Sequence, residues 1–295
     1  HIDGIALTAP LSCIFNSNNK ILNLLKKSNE FIININQLKS INGDYLNVTL
    51  RLFESQGWLK RNLIKKNSIK IKSTKLGVEL FNQASLYHTF FLFIPYLIKL
   101  NFNNHDSHKK LNEFLDKFNE LEKKTKNKTI IKHIEGLILG PVLVALSMKN
   151  HITIESNNKL ILNNLINNKN KNCILRLFKK FELSNDEQLN EKGMFFCNRS
   201  AAYGVTVSYM PLFAQIDKLL FKDTSNILVR DKNGNELHVN RKMNVWGSGG
   251  AHKLYFKKID EIIIEIFNKP IELQPKGIAD MGCGDGTLLI HLYKL

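Results

Sequence analysis

The sequence feature that most constrains the fold is a group of evenly spaced glycines close to residue 280. Three glycines alternate with other residues directly after Asp280: Gly282, Gly284 and Gly286. Glycine has no Cβ atom, so the backbone here can turn tightly against a ligand, and the amides of a following helix can meet the ligand's polar end. The pattern predicts a buried strand at residues 277–280, a nucleotide-binding turn, and a helix that starts at Thr287.

The charge of the chain admits two explanations. The 295 residues are 43% hydrophobic, as in a globular protein, and carry a formal net charge of +16. A basic protein can bind a polyanion such as nucleic acid. Lysine, asparagine and isoleucine, which all have A/T-rich codons, are nevertheless abundant along the whole chain, and the lysines are scattered. We favour this compositional explanation, which makes nucleic acid the less favoured partner.

Cysteine usage and apolar runs narrow the class of protein further. None of the four cysteines lies in a Cys-x-x-Cys pair, which argues against a zinc ribbon, and no disulfide framework is evident. The longest apolar run, residues 90–100, contains Pro95 and Lys99 and falls short of the about 18 residues of a membrane span. We therefore expect a cytoplasmic protein that does not cross a membrane.

Residues 9–81 have the pattern of a winged helix. Apolar residues at helical spacing predict three helices: 20–27, 35–41 and 45–56. Asp44 can cap the third helix and Gly57 can end it. Two β-forming runs follow as the strands of a basic wing: residues 58–64 and 68–72. Another helix starts near Thr74.

A second copy of this pattern is predicted further along the chain. Four residues recur at an offset of 116, as 193 − 77 shows: Gly77, Asn82, Tyr87 and Pro95 match Gly193, Asn198, Tyr203 and Pro211. An Arg-Leu-Phe triplet recurs at an offset of 125, at residues 51–53 and 176–178. The second copy would have a shorter wing, at residues 183–190. The order of these segments favours an internal duplication.

Two roles are open for the winged-helix copies. One is DNA binding through residues 45–52, although Arg51 is the only cation on that helix. The other is a packing and dimerisation module, with aromatic helices at residues 86–100 and 202–220 forming an apolar interior. We favour the second role, which includes a homodimer. Residues 101–127 are predicted to be a polar surface connector that is partly helical, from Leu111 to Lys124.

The approach to the glycine turn contains a hairpin and a second glycine-rich stretch. Asn233-Gly234 between apolar runs predicts a β-turn. Three of the four residues at 247–250 are glycines, which either let the backbone approach a ligand or form a flexible linker; the adjacent Trp246 argues against a linker. Residues 255–267 are predicted to form an amphipathic helix.

These motifs resemble a known enzyme family. The sequence Asp-Met-Gly-Cys-Gly-Asp-Gly at residues 280–286 resembles motif I of class I S-adenosylmethionine-dependent methyltransferases. Residues 45–59 are similar to the dimerisation region of several small-molecule methyltransferases. Residues 245–252 look like the segment before motif I in methyltransferase domains of polyketide loading modules, including the apratoxin type.

The resemblance implies a cofactor, S-adenosylmethionine, and a set of residues that bind it. In the family the glycine turn lies along the methionine part, and the acid at the strand end helps to hold the amino group. The cofactor-binding residues implied here are Asp280, Gly282, Gly284, Gly286, Ser248, Gly249 and Tyr255. His252 is implied as a catalytic or metal-ordering residue, with a solvent-facing histidine as the alternative. The resemblance specifies no metal.

The resulting expectation is a mainly α chain with small β wings. A duplicated winged-helix-like lid or adaptor (residues 1–127, with the connector, and 128–240, with the hairpin) precedes the first strand and helix of a Rossmann-like methyltransferase core (residues 241–295). We expect the chain to be the N-terminal portion of a methyltransferase of polyketide or related secondary metabolism, truncated after motif I and inactive alone. Its partners would be the remainder of the core and an acyl carrier protein. The alternative is a tandem winged-helix module that binds DNA or protein.

Overall fold

The computed structural model describes residues 1–16, 18–65, 67–163 and 167–295. The side chains at positions 65, 251–254 and 257 lie outside that description. The described part of the chain is mainly helical with three small antiparallel sheets, which confirms the predicted mainly α class.

The first half of the chain begins with a long helix and a three-stranded sheet. Its elements are α1 (Asp3–Asn16), α2 (Lys20–Leu25), β1 (Glu30–Asn34), α3 (Gly43–Ser55), β2 (Leu59–Lys65), β3 (Ser68–Ser73), α4 (Lys75–Asn82), α5 (Ala84–Phe91), α6 (Ile94–Ile98) and α7 (Ser107–Lys124). The sheet has the order β1-β3-β2, with β3 antiparallel to both neighbours. The wing hairpin predicted from the sequence is therefore the β2–β3 pair.

The second half starts with the longest buried helix and ends at the glycine turn. Its elements are α8 (Lys128–Met148), β4 (Ile152–Ile154), β5 (Leu160–Leu162), α9 (Asn168–Lys180), β6 (Ser184–Asn185), β7 (Gln188–Leu189), α10 (Glu191–Asn198), α11 (Ser200–Ser208), α12 (Met210–Phe213), α13 (Ile216–Phe221), α14 (Arg241–Phe267) and α15 (Thr287–Lys294). The turn around Gly234 is closed by a single bridge between Arg230 and Glu236.

Helix α8 is the centre of the core. Every residue from 133 to 144 is buried, so this helix has no solvent-facing side over three turns. Helix α1 crosses α8 at close range. A Cβ atom on Gly4 would lie only 1.9 Å from the carbonyl oxygen of His133, so glycine is needed at this crossing. Helices α5 and α11 also pack on α8. One cluster of buried apolar side chains runs from Ile5 to Ile227.

The same helix corrects the expectation about apolar runs. Residues 136–148 contain no charged side chain and form a longer run than residues 90–100. By length and composition α8 alone among the described helices could cross a membrane. However, 78% of its most apolar 18-residue segment is buried inside the protein. Burial of that kind is what the core helix of a folded domain shows.

Three elements differ from the sequence prediction. Residues 35–41 form no α-helix; β1 ends at Asn34 and a short 3-10 helix, Ile35–Gln37, follows. The β-branched residues just before this segment, Ile32 and Ile33, pair with β3 as part of β1. Helix α3 is capped by the side chain of Asn42, not by Asp44. The single helix predicted at 86–100 is broken before Pro95 into α5 and α6.

The prediction that residues 101–127 form a surface connector is wrong, because this segment is packed into the protein. Its main element, α7, buries an apolar stripe at helical spacing: Leu111, Phe114, Leu115, Phe118 and Leu121. The ring of Phe114 lies 4.9 Å from that of Phe90, and Phe118 lies 5.1 Å from Phe181. The segment is therefore part of the core. Its many lysines and asparagines occupy only the outer face.

The predicted start of a Rossmann-like core is not borne out as a strand. Residues 277–280 carry no strand pairing, and Ile278 is exposed rather than buried. A strand of a parallel sheet is held by ladder hydrogen bonds to its neighbours, and no described strand lies beside this segment. The helix predicted after the turn is present as α15.

The two predicted copies share an order of elements and an offset. Helices α4, α5 and α6 begin 116 residues before α10, α11 and α12, as 191 − 75, 200 − 84 and 210 − 94 show. Both copies also contain a short hairpin before this helix trio. The offset equals that of the matching residues, which supports the duplication; common ancestry of the copies stays a prediction.

The matching glycines have one physical role. A Cβ atom on Gly77 would lie 1.8 Å from the carbonyl oxygen of Trp58, and one on Gly193 would lie 2.1 Å from that of Leu183. Each glycine donates its amide to a capping side chain, from Thr74 or Asn190. The helix start is therefore pressed against the residue that precedes the hairpin, where only glycine fits.

Replacing Gly77 or Gly193 with alanine should destabilise the protein by about 1–3 kcal/mol, the usual cost of overpacking a close contact. Urea denaturation of each variant measures the loss. Gly277→Ala is the control, because open space surrounds that position. A loss at Gly77 with none at Gly193 would contradict their equivalence.

Stability should also fall on acidification because of His133. Burial lowers the pKa of this histidine from 6.5 to about 4, and its Nδ1 accepts a 2.8 Å hydrogen bond from the Tyr87 hydroxyl. The unfolded chain therefore binds a proton that the folded chain excludes. The stabilisation is complete above pH 6.5 and is lost as the pH falls towards 4, by about 3 kcal/mol in total.

The measurement is the free energy of unfolding between pH 7 and 4.5 for the parent chain and His133→Asn, which keeps a neutral acceptor. The variant should show a flatter pH dependence. Burial raises the pKa of the Glu135 carboxyl, which changes stability in the opposite sense in both proteins, so the difference between them isolates His133. Identical slopes would show that His133 is not the group responsible.

Candidate cofactor site

The glycine turn adopts a backbone conformation that explains its sequence. Gly282, Gly284 and Gly286 have φ angles of +86°, +61° and +76°. Residues with a side chain rarely adopt this left-handed region, so each position needs glycine for its backbone alone. The amide of Gly286 donates to the carbonyl of Cys283 at 2.9 Å, which closes the turn.

The start of α15 is satisfied within the turn. Oδ1 of Asp285 accepts from the Thr287 amide at 3.1 Å and from the Thr287 hydroxyl at 2.5 Å. A carboxylate at this position also complements the positive end of the helix dipole. The expectation that the first helix amides are open to a ligand is therefore wrong for Thr287, because Asp285 already binds it.

Helix α14 forms the wall opposite the turn. Between them lies a cavity of about 720 Å³. The α14 residues that line it recur every three or four positions, as one face of a helix does: Arg241, Asn244, Val245, Ser248, Gly249, Tyr255, Phe256 and Ile259. The turn contributes Asp280, Gly282, Cys283, Gly284, Asp285, Thr287 and Leu288.

The glycines within α14 divide between its two faces. A Cβ atom on Gly247 would lie 2.8 Å from the carbonyl oxygen of Ala201, and one on Gly250 would lie 2.6 Å from the Ala201 Cβ. These two glycines let α14 lie directly on α11. Gly249 faces the other way, where a Cβ atom would lie 3.4 Å from Oγ1 of Thr287. The glycine-rich stretch is thus neither a loop nor a linker, and only Gly249 borders the cavity.

Polar contacts fix the start of α14 relative to the core. The Asn244 side chain donates to the Ser208 hydroxyl at 3.0 Å, and the Asn240 amide donates to the Ser208 carbonyl at 2.9 Å. Arg241 forms a two-point ion pair with Glu236, at 2.6 and 2.8 Å. That hydrogen bonding raises the pKa of the Arg241 guanidinium and lowers the pKa of the Glu236 carboxyl.

Among the described side chains, the charges that line the cavity are those of Arg241, Asp280 and Asp285. Cys283 is the exposed cysteine of the four. Burial raises the pKa of the other three thiols, to about 12 for Cys13 and Cys197 and about 11 for Cys173. No group of three metal-ligating side chains occurs among the described residues. The described part of the site therefore offers carboxylates, a guanidinium and backbone rather than a metal centre.

The structure brings together six of the residues predicted for the cofactor: Ser248, Gly249, Tyr255, Asp280, Gly282 and Gly284. Gly286 lies at the start of α15 and does not line the cavity. His252 falls within α14, but its side chain lies outside the described residues. Whether these residues bind the cofactor stays a prediction.

Besides four residues of the turn segment (Cys283, Asp285, Thr287 and Leu288), the sequence interpretation missed five lining residues of α14: Arg241, Asn244, Val245, Phe256 and Ile259. The signal that could have found them is helical spacing from Ser248, since 241, 244, 245, 248 and 249 lie on one face. It was missed because the helix was predicted to start at residue 255, whereas α14 starts at Arg241.

Three family models each match a separate segment of the chain. Residues 1–61 match the AprA N-terminal domain, residues 135–223 the AprA winged helix domain, and residues 236–295 the AprA MT2-like domain. The winged helix match therefore falls on the second predicted copy, and the first copy overlaps the N-terminal domain. No curated protein matches the chain.

The division of the α14 glycines can be tested with two alanine variants. Both substitutions gain about 1 kcal/mol of helix propensity. Gly247→Ala should nonetheless destabilise the protein by about 1–3 kcal/mol, because its Cβ meets the backbone of α11. Gly249→Ala should be neutral or stabilising. Thermal and urea unfolding measure both; equal losses would place the two glycines on equivalent faces.

Proposed function

We propose that this chain, which is similar in three segments to apratoxin-type methyltransferases, is the lid and cofactor-facing portion of an S-adenosylmethionine-dependent methyltransferase of polyketide or related secondary metabolism. The observation that carries the proposal is the cavity between α14 and the glycine turn. It joins residues from two separate stretches of the sequence that both resemble methyltransferase segments.

The residues present fit the methionine end of the cofactor. The left-handed glycines at 282 and 284 place no Cβ atom between their own backbone and the cavity. The Asp280 carboxylate suits an ammonium group. The Arg241 guanidinium at the cavity edge is paired with Glu236, so it contributes to the wall rather than offering a free cation. Phe256 and Ile259 supply apolar surface beside them. When bound, S-adenosylmethionine supplies a methyl group on a positively charged sulfur.

The contribution of this chain to methyl transfer would be alignment and exclusion of water. A methyl transfer needs the acceptor in line with the carbon–sulfur bond, at a site where water does not compete. Helix α14 is held rigidly to α11 by glycine packing, and α11 lies on the buried helix α8. The lid therefore presents a fixed wall to the reacting groups.

The proposed partners follow from charge. The net charge of +16 gives the chain a field that attracts an acidic protein, and an acyl carrier protein that presents the methyl acceptor is such a partner. The remainder of the methyltransferase core would complete the cofactor site. In the described residues the acids that line the cavity, Asp280 and Asp285, both belong to the turn.

The chain by itself should bind S-adenosylmethionine weakly, with a Kd of about 1 mM, because the described cavity holds only one end of the molecule. Asp280→Asn should weaken binding about tenfold further, since it removes the charge that faces the ammonium group. Calorimetric titration, supplemented by ligand-observed NMR, measures both proteins.

Asp116→Asn is the matched control, because this acid pairs with Arg176 far from the cavity and its loss should leave binding unchanged. A micromolar Kd for the parent chain would contradict the weak-binding prediction. Equal affinity of the parent chain and Asp280→Asn would remove Asp280 from the site.

A second candidate function, DNA binding, is favoured by the winged helix match and the basic charge. The structure offers little else for it. Arg61 on the β2 strand is bound by Glu54 at 2.9 Å and by the Asn47 side chain at 2.6 Å, so it is engaged within the protein. A mobility shift on duplex DNA that weakens steeply with salt would support this function.

A further inference from the structure

Helix α15 is attached to α14 at two places. At its start, the Thr287 hydroxyl lies beside Gly249, where a Cβ atom would be 3.4 Å from Oγ1. One turn later, Nε2 of His291 lies 2.6 Å from Oδ1 of Asp260. The histidine donates and the carboxylate accepts, which makes this a charge-assisted hydrogen bond between the two helices.

The contact between His291 and Asp260 lies beside an aromatic ring. The His291 ring lies 5.0 Å from the ring of Phe256 at an interplanar angle of 33°. Phe256 is 7% exposed and lines the cavity. The position of His291 is therefore coupled to the cavity wall through one side chain.

Burial separates this pair from the ordinary ion pairs on α14. The side chains of His291 and Asp260 are 34% and 19% exposed, whereas those of Lys258 and Glu261 are 80% and 71% exposed at 3.6 Å. A fully exposed pair contributes little because water and salt screen it. The His291–Asp260 pair is the better shielded of the two.

Apolar packing does little to hold this part of the chain. No residue of α15 is fully buried: Leu288, Leu289 and Leu292 are half-buried, and Ile290 and Tyr293 are exposed. Met281 in the turn is also exposed. The orientation of α15, and of the glycine turn that leads into it, therefore depends on the polar attachment more than on a core.

We propose that Asp260 and His291 are a positioning pair that holds the glycine turn against α14 and so sets the shape of the candidate cofactor cavity. The proposal rests on the proposed function for the importance of that cavity. The pair does not touch the reacting groups; it acts through Phe256 and α15. Its test below needs no cofactor, so a failure of cofactor binding and a failure of the pair are distinguishable.

The experiment is amide hydrogen exchange of residues 287–294 in the full chain, compared with a nitroxide spectrum at Cys283. Cys283 is the exposed thiol of the four, so it can be labelled selectively. His291→Leu removes the hydrogen bond and keeps apolar contact with Phe256. Exchange across α15 should rise about five- to tenfold, as expected for loss of one charge-assisted bond, and the label at Cys283 should become more mobile.

A conservative variant separates positioning from general stability. His291→Gln retains an N–H group that can donate to Asp260, so exchange and label mobility should return close to the parent values. The midpoint of global unfolding should stay unchanged in both variants, because α15 contributes no buried residue to the core. The double variant Asp260→Leu with His291→Leu should show no larger effect than either single variant.

Glu261→Leu is the matched control, since it removes an acid one residue away whose described partner is the exposed Lys258. It should leave exchange across α15 unchanged. The proposal is overturned if His291→Leu leaves both readouts at the parent values, if His291→Gln behaves like His291→Leu, or if Glu261→Leu has the same effect. A parallel loss of global stability would also overturn it, because the pair would then act on the whole fold.

Discussion

The fold depends on the close crossing of helices at a central helix that has no solvent-facing side. Helix α8 is buried along residues 133–144, so its neighbours must cover it completely. Helix α1 approaches until the position of Gly4 meets the His133 backbone, and α11 covers another side. Close packing of this kind is rigid, and a displaced helix would open a cavity. Helix α11 packs on α8, and α14 packs on α11 at Gly247 and Gly250, so the position of α14 is fixed by close packing.

The candidate site lies at the outer end of this series of packed helices, on α14. Its inner wall, α14, is fixed to the core by glycine packing and by the hydrogen bonds of Ser208. Its outer wall, the glycine turn, is held by local geometry and by the His291–Asp260 pair. The two walls therefore differ in kind: one is part of the packed interior, and the other is exposed backbone whose position a few polar contacts determine.

The successes and errors of the sequence interpretation share a physical basis. Local signals worked where the cause is local, as in the tight turn at the glycines, the start of α4 near Thr74 and the start of α15. They failed where a distant partner decides the outcome. The segment at 101–127 is polar on average, yet its apolar stripe makes α7 a core helix. The strand predicted at 277–280 has no described neighbour to pair with, so the apolar residues alone did not make it a strand.

The sequence by itself determined that residues 282–286 form a tight glycine turn before a helix and that the surrounding motifs resemble an apratoxin-type methyltransferase. Both depend on residue types and spacing, which the chain carries locally. Only the tertiary structure decided which glycines of α14 border the cavity and which pack on α11, because that depends on how α14 is rotated against its neighbours. Likewise, Asp260 and His291 lie 31 positions apart, and only the crossing of two helices brings them into contact.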